Sequence, residues 1–511
     1  MSYPDKNDVY KLPRIFQDTN KLQQSLKNKP ESYWRSRGNT MALRLFREMS
    51  TRVPAYKDFL AKNRFDPTTV TSIRDFPKIP TINKDNYLRQ YPKEALCWDG
   101  KFSECNWTVS TTSGSSGEPY YFPRTDFQTS QYALTAELYL RENFHIQEKK
   151  TLYIDAFAMG AWIGGLFTYE AIKKVADKGY SLSIITPGIH KQDVINAVMN
   201  LSQEFDQTII GCYPPMMKDI LVQGESQGIN WSEYDLGLIF SAEGFGEEFR
   251  DHIHEIAGIK DIYTGSLNHF GTVDQGTLGH ETPVTTFIRR NSHGNKDMFK
   301  LLFNDSRKQP TIVQYLPELF YFESENNKLI CSSYSGLPLL RYDLKDSGGI
   351  LKNAYIENVF KKSGRDFKDE LKATGISNKR WNLPFVYVTE REDFSVKLAG
   401  GMIYPEEIRK ALLHNSVSRK VTGKFTMEVI NDKNMQPKLI IHVEQAYNLA
   451  EKKGLSAQIQ KQVVAVLLEN NSEYVSNYKY YGRKIWPKVI LWAYDNPTYF
   501  SGKGKQKWVK K

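Results

Sequence analysis

The stretch Thr111-Thr112-Ser113-Gly114-Ser115-Ser116-Gly117-Glu118-Pro119 concentrates hydroxyls and glycines between an apolar-aromatic approach and an expected helix. Glycines allow positive φ and close backbone approach, successive N–H groups form an anion nest, and hydroxyls add donors, so such a loop can wrap a phosphate. It is not a Walker loop, because no G-x-x-x-x-G-K-[ST] can be written near it. Nor is it a serine-hydrolase elbow, because it does not spell G-x-S-x-G. A flexible Ser/Gly connection is the competing reading. A second region of possible chemistry is the basic chain end, with Lys503, Lys505, Lys507, Lys510 and Lys511. Such a tail can hold nucleotide phosphates, nucleic acid or a membrane surface, or can simply be solvated.

The hydropathy pattern supplies a scaffold for these residues. Residues 1–106 read as helical and loop-rich, with Leu43, Phe46 and Met49 at helical spacing before Pro54, then Pro67, Pro77, Pro80 and Pro92 punctuating an extended stretch. From 107 onward short apolar runs alternate with longer amphipathic ones. Thr151 to Ala156, Ser181 to Thr186, Thr208 to Cys212 and Leu236 to Ser241 read as strands; Gln128 to Asn143 and Lys191 to Phe205 read as helices. That alternation predicts βαβ units and a largely parallel sheet. The Lys/Asp-rich stretch Ser347 to Arg380 reads as an insertion or linker. After Arg391 come a helix at Pro405 to Leu413, strands at Lys424 to Ile430 and Lys438 to Glu444, a helix near Ser456 to Glu469 and a strand at Lys488 to Trp492. The expected class is α/β: a large N-terminal α/β domain with mixed, largely parallel sheets, plus a small α+β C-terminal domain. Residues 1–106 form the helical N-terminal part of the large domain, 107–390 its core, and 391–511 the C-terminal domain.

At 511 residues the chain exceeds the size at which a single core stops growing. Hydrophobic residues at 40% and charged residues at 25% belong to a globular chain and exclude disordered or fibrous classes. The purest apolar run, Val463 to Leu468, falls far short of the roughly 20 residues of a spanning helix. The opening Met-Ser-Tyr-Pro-Asp-Lys lacks a signal peptide's apolar core, so a cytoplasmic location without membrane insertion is expected. Cys97, Cys105, Cys212 and Cys331 form no C-x-x-C pair and read as reduced thiols. The formal charge of +11 would suit nucleic acid, yet no RNP-like, zinc-finger or helix-turn-helix pattern accompanies it, and no nucleic-acid partner is expected.

Taken in order, several blocks resemble the adenylate-forming enzymes, the superfamily of acyl-CoA synthetases, peptide-synthetase adenylation domains and luciferases. The loop with Thr112, Ser113, Gly114, Ser115, Ser116 and Gly117 is similar to that family's phosphate-binding signature. Ser241-Ala242-Glu243-Gly244 resembles the segment flanking adenine, and Asp261-Ile262-Tyr263 the tyrosine strand that stacks on it. Arg341-Tyr342 through Asp346 resembles the R-Y-x-x-x-D block whose aspartate holds the ribose. Arg391-Glu392-Asp393 with Lys397, Gly400 and Ile403-Tyr404-Pro405-Glu406-Glu407-Ile408 resembles the hinge and opening helix of the small domain. Ser501-Gly502-Lys503-Gly504-Lys505 resembles the terminal loop with its catalytic lysine. Val53-Pro54-Ala55-Tyr56, Ile79-Pro80-Thr81-Ile82-Asn83-Lys84 and Tyr91-Pro92 point to the phenylacetate-CoA ligase branch, which includes proteins associated with capsule synthesis.

The resemblance implies ATP-dependent activation of a small carboxylic acid as acyl-adenylate with pyrophosphate release, then transfer to a thiol, coenzyme A being the branch's usual acceptor. An amine, a carrier protein or a protein thiol would need the same first step, and an inactive ligase-fold interaction protein is the non-enzyme alternative. The resemblance further implies that the core at 107–390 binds nucleotide and acid and that the C-terminal domain at 391–511 is a mobile lid. It also implies Lys503, Arg391 and Asp393 as catalytic and hinge residues, ATP with Mg2+, and a monomer or homodimer. Phe157, Trp162, Tyr213 and His269 are expected to wall the acid pocket. Two departures stand out: Pro119 is followed by Tyr120 rather than lysine, and Asn268 stands where the family carries a magnesium-holding glutamate. A neutral amide binds a divalent cation less strongly than a carboxylate.

Overall fold

The computed structural model describes residues 12–111, 120–303, 309–389, 396–398, 401–431, 437–447, 449, 454–500 and 508–510. The N-terminal helices begin where the sequence supplies caps: Asp18 accepts from the Lys21 N–H at 3.0 Å ahead of helix Thr19–Asn28, and Pro54 occupies the first turn of helix Pro54–Lys62. Between them, helix Glu31–Arg52 buries Trp34, Leu45, Phe46 and Met49.

A hairpin of β1 (Thr108–Thr111) and β2 (Tyr121–Arg124) carries the Ser/Gly loop between its strands. Strands β3 (Thr151–Asp155), β4 (Leu182–Ile185), β5 (Gln207–Cys212), β6 (Leu236–Phe240) and β7 (Ser266–Thr272) are mutually parallel. They alternate with helices Ile163–Ala176, Lys191–Leu201, Pro214–Ser226 and Glu247–Ala257, so the expected βαβ alternation is what the chain adopts. The direction changes at β7, which pairs antiparallel with β8 (Gly276–His280). Beyond it lie β9 (Thr311–Gln314), β10 (Phe320–Glu325), β11 (Lys328–Ser333), β12 (Leu339–Leu351) and β13 (Phe385–Thr389), all antiparallel, in one eleven-stranded sheet ordered β10-β11-β12-β13-β9-β8-β7-β6-β5-β3-β4. Strand β7 thus joins the parallel and antiparallel halves. The described part of 396–510 folds around its own core of Ile408, Phe425, Ile441, Ile459, Val463 and Trp508. It contains the pair β14 (Val396–Leu398) and β15 (Gly401–Ile403) and the three-stranded sheet β16 (Val421–Asn431), β17 (Pro437–Gln445) and β18 (Lys488–Trp492).

Two expectations are corrected. The stretch 347–380 is neither insertion nor linker: β12 runs through it to Leu351, and helices Asn353–Lys362 and Phe367–Ala373 bury Ile356, Val359, Phe360, Phe367 and Leu371. Their lysines and acids cover the outer faces while the apolar residues recur at helical spacing. Residues Asp261 to Tyr263 form a turn rather than a strand, because the Asp261 carboxylate accepts from the backbone N–H groups of Tyr263 (2.9 Å) and Thr264 (3.0 Å) and delays the strand to Ser266.

Among the described residues no helix is long and apolar enough to cross a membrane. The Phe360 ring stacks on Phe287 (5.8 Å) and meets Phe367 edge to face (4.9 Å). Phe360→Ala is expected to lower the unfolding free energy by about 3–5 kcal/mol in urea denaturation; a loss below about 1 kcal/mol would make this helical pair peripheral.

Candidate nucleotide and acid site

Where β6 ends, the chain turns through Ser241-Ala242-Glu243-Gly244 with Ala242 at φ 74°. A non-glycine residue there is strained by on the order of 1–3 kcal/mol, and such strain clusters at ligand sites. On the neighbouring strand Asn268 is 1% exposed, its side-chain amide donating to the Glu243 carbonyl (3.0 Å) and facing the Thr311 hydroxyl (3.5 Å). Its carboxamide oxygen is buried with no hydrogen-bond partner among the described residues. That orphan acceptor sits beside the strained turn. No cluster of three or more His, Cys, Asp or Glu side chains suited to a metal occurs among the described residues. A single neutral oxygen suits a magnesium ion carried in on a nucleotide's phosphates and does not suit a resident metal centre.

The expected acid-pocket residues divide. Phe157 and Tyr213 meet edge to face at 5.4 Å, the Tyr213 hydroxyl accepts from the Ala158 N–H at 3.3 Å, and Tyr213 follows Cys212, which pairs with Phe240 at the end of β6. Gly211 and Gly164 let side chains close on the backbone here, since a Cβ on Gly211 would stand 2.5 Å from the Tyr153 hydroxyl and 3.0 Å from the Phe157 ring, and one on Gly164 would stand 3.1 Å from the Tyr213 hydroxyl. Thr111 donates to the Ala161 carbonyl at 2.9 Å, which fixes the stem of the Ser/Gly loop next to this pair. His269 is buried instead among Tyr139 (4.8 Å) and Tyr132 (5.9 Å), and burial, then the neighbouring His280, lowers its pKa to about 3, so it is neutral. Trp162 caps its helix on the outside, 36% exposed. Tyr263 stands at the N-terminal edge of β7 with its ring 6.2 Å from Phe287, away from Asn268 and the 241–244 turn. The structure therefore does not bring it to the site.

Asp346 lies within β12, one residue before Ser347, which pairs with Thr389, the last described residue ahead of 390–395. Arg341 is structural: its buried guanidinium binds the carbonyls of Pro77 (3.2 Å) and Ile79 and the carboxylates of Glu323 (3.1 Å) and Glu325. Ile82 bridges Tyr342, so the Ile79–Lys84 segment clamps the strand that carries Asp346. Thr112 to Gly117, Arg391, Asp393 and Lys503 lie outside the described residues.

Beneath the site lies an ionic network that charge patterning alone does not reveal. Arg250 binds Glu247 (3.0 Å), Glu281 (2.7 Å) and the Ser266 hydroxyl (2.9 Å); Arg289 binds Glu247 (3.2 Å), Glu281 and the Phe245 carbonyl. Glu281 also accepts from the Asn268 backbone N–H at 2.8 Å. The side chains of Arg250, Arg289 and Glu281 are all 0% exposed. Burial pushes the Glu247 carboxyl up, but Arg250, Arg289 and Arg290 more than offset it and hold it below its ordinary value. His254, which shares the Ser266 hydroxyl at 2.8 Å, is lowered to about 3 by burial and then Arg250, so it adds no positive charge. Both guanidiniums lie over the Phe245 ring, at 5.0 and 5.5 Å.

The C-terminal module rests on this floor. Arg409 of helix Pro405–Leu412 donates to the Gly244 carbonyl at 2.7 Å, and buried Lys218 donates to the carbonyls of Ser418 (2.8 Å) and Val421 (3.1 Å). Asp219 pairs with Lys191 at 2.8 Å and Lys424 at 3.6 Å, and Lys424 with Glu444 at 3.3 Å.

No protein-family model matches the sequence, and no curated protein matches it. Solved structures do. 2-Hydroxyisobutyryl-CoA ligase in its postadenylation state with 2-HIB-AMP superposes with a TM-score of 0.65 at 14% identity, covering 100% of this chain and 96% of that one. The same protein bound to 2-HIB-AMP and CoA gives 0.52 at 15% identity in its thioesterification state, covering 100% and 96%. In an open conformation it gives 0.53 at 14%, covering 100% and 98%. The chain has the fold of this CoA ligase.

Arg289→Met, which leaves Glu281 and Glu247 short of a buried counter-charge, is expected to cost about 3–5 kcal/mol in urea denaturation, nearly unchanged between low and high salt. Loss of that difference at high salt would place the network in solvent. Burial lowers the Lys218 pKa from 10.5 to about 8, with Asp219 opposing. Between about pH 8 and 10.5 the unfolded chain then binds the extra proton, so the Lys218 contribution to stability rises with pH through that window and its full cost is present below it. The unfolding free energy of wild type minus that of Lys218→Met should climb by about 1–3 kcal/mol from pH 7.5 to 10; a flat difference contradicts the shift.

Proposed function

We propose that this protein is an ATP-dependent acid–thiol ligase that forms an acyl-adenylate with release of pyrophosphate and passes the acyl group to coenzyme A, within the phenylacetate-CoA ligase-like branch. The observation that carries the reading is the full-length likeness to an adenylate-bound CoA ligase, with the strained 241–244 turn, Asn268 and the Phe157–Tyr213 pair adjoining one another beside the stem of the phosphate-loop candidate. In this reading the acid carboxylate attacks the α-phosphorus of ATP, pyrophosphate leaves, and the thiol then displaces AMP. The N–H groups and hydroxyls of Thr112, Ser113, Ser115 and Ser116 hold the β- and γ-phosphates, and Lys503 meets the charge that develops during transfer. Asp346 accepts from the ribose hydroxyls, and Arg391 supplies a planar fork to phosphate or ribose oxygens. Mg2+ would screen the phosphates, with the Asn268 oxygen as the protein donor.

The phosphate loop's backbone carries more of the binding than in relatives with a lysine after the signature. We place the domain boundary near 390, with 391–511 as the lid and Asp393 at its hinge. The separate core of the C-terminal module and the shared core of residues 16–102 with β10 to β13 support that division. The compact aromatic pair at 157 and 213 favours an aryl or other small acid. A cytoplasmic location belongs to the same proposal.

An ATP–pyrophosphate exchange screen over aryl, fatty and amino acids tests the reading. At least one acid class should support exchange, and no exchange with any acid together with no ATP-induced thermal shift would sink it. With an active acid in hand, Lys503→Ala should reduce exchange by about 100-fold or more, whereas Asp393→Pro should spare exchange and block thioester formation. Normal exchange in Lys503→Ala would show that another residue meets the developing charge.

A further inference from the structure

We infer that Arg409 is a positioning residue that fastens the C-terminal module to the 241–246 nucleotide turn and thereby favours the adenylating arrangement over the thioester-forming one; this rests on the ligase reading above. Among the described residues the Arg409 guanidinium reaches beyond its own helix to two other parts of the chain. It donates to the Gly244 carbonyl at 2.7 Å and to Glu406 at 2.8 Å, and it lies 4.6 Å over the Trp508 ring. Trp508 is itself fixed to the module, with its carbonyl accepting from the Met427 N–H at 2.8 Å, its ring 4.9 Å from Phe425, and the Lys510 N–H bonding back to the Met427 carbonyl at 2.9 Å. The guanidinium therefore links the turn after β6, the opening helix of the module and the chain's last strand-like segment. Its planar fork permits simultaneous donation and ring stacking, which a lysine ammonium cannot reproduce.

On the other side of the contact, the turn is rigid. Ala242 is held at φ 74°, Glu243 is bonded by Asn268, and the Phe245 carbonyl is taken by Arg289, whose carboxylate partners also bind Arg250. A hydrogen bond to Gly244 thus reports the module's orientation against a fixed reference. The cleft around it is walled mostly by apolar side chains, Pro214, Phe245, Phe249, Leu412 and Trp508, with Lys218 and Thr422 also on its lining, so the bond is partly desolvated and directional. The full-length superposition on 2-hydroxyisobutyryl-CoA ligase scores 0.65 for the postadenylation state and 0.52 and 0.53 for the thioesterification and open forms. The arrangement in which Arg409 reaches Gly244 is thus closer to the first.

The test uses the full-length protein, wild type, Arg409→Lys and Arg409→Met, each checked for an unchanged unfolding transition. Hydrogen exchange of the amides at 241–246 and 508–510 reads the contact without turnover. It should accelerate in Arg409→Met by at least about 10-fold and less in Arg409→Lys, while β3 and β5 stay protected. ATP–pyrophosphate exchange should lose at least about 10-fold in kcat in Arg409→Met, with KM for the acid and thioester formation from supplied acyl-adenylate held within about 2-fold. Unchanged amide protection, or an equal fall in both half-reactions, overturns the role of Arg409. Absence of pyrophosphate exchange in wild type with every acid instead overturns the ligase reading, and the amide measurement still decides whether Arg409 holds the turn.

Discussion

Two carboxylates and two guanidiniums, sealed from water under the end of β6, fix the geometry on which the candidate site depends. Glu247 and Glu281 share Arg250 and Arg289, and each member of the set is bonded to at least two others or to backbone. Isolated charges at such depth would cost several kcal/mol each, so the set is tolerable only when complete. Completeness makes it stiff. Glu281 comes from the residue after β8, Arg250 and Glu247 from the helix after the 241–246 turn, and Arg289 from helix Pro283–His293. Through them the parallel half of the sheet, the antiparallel half and the turn between β6 and its helix are held in one register.

What sits on that floor inherits its precision. The Asn268 backbone is bonded to Glu281 while its side chain holds the Glu243 carbonyl, so strand and turn approach each other at a set distance. The Phe245 carbonyl is committed to Arg289, which leaves the adjacent Gly244 carbonyl for Arg409 of the C-terminal module. The N-terminal segment plays the matching part on the other flank, where Arg341 and the Ile82–Tyr342 bridge hold the strand bearing Asp346. Both flanks thus place backbone and side-chain acceptors by burying cations, a route open to a chain with an excess of basic residues.

Much of the architecture was legible in the sequence. Leu236–Phe240 and Gln207–Cys212 are short runs buried on both faces, as parallel strands flanked by helices require, and their alternation with helical stretches gives the topology. The α+β C-terminal unit could be read for the same reason. The helices at 353–373 escaped because their exposed lysines and acids outnumber Ile356, Val359 and Phe360, and composition averages over faces that periodicity separates. Counting residues in a motif puts Tyr263 on a strand, whereas the Asp261 turn shifts the strand start to Ser266. Glu281, Arg289 and Arg409 were invisible as site residues: charged side chains read as solvated surface until their partners, 8 to more than 160 positions away, are brought together. A helical charge spacing was present in Glu247 and Arg250, but it does not distinguish a buried pair from an exposed one.

The proposed reaction turns on attack of a carboxylate at the α-phosphorus of ATP in this site. It is tested most directly by supplying ATP and a free carboxylic acid that supports pyrophosphate exchange, labelled with 18O in both carboxylate oxygens, trapping the acyl group with a thiol, and measuring the isotope in the nucleotide by mass spectrometry. One 18O atom per AMP formed and none in pyrophosphate is expected. Label in inorganic phosphate with ADP as product, or unlabelled AMP, would contradict it.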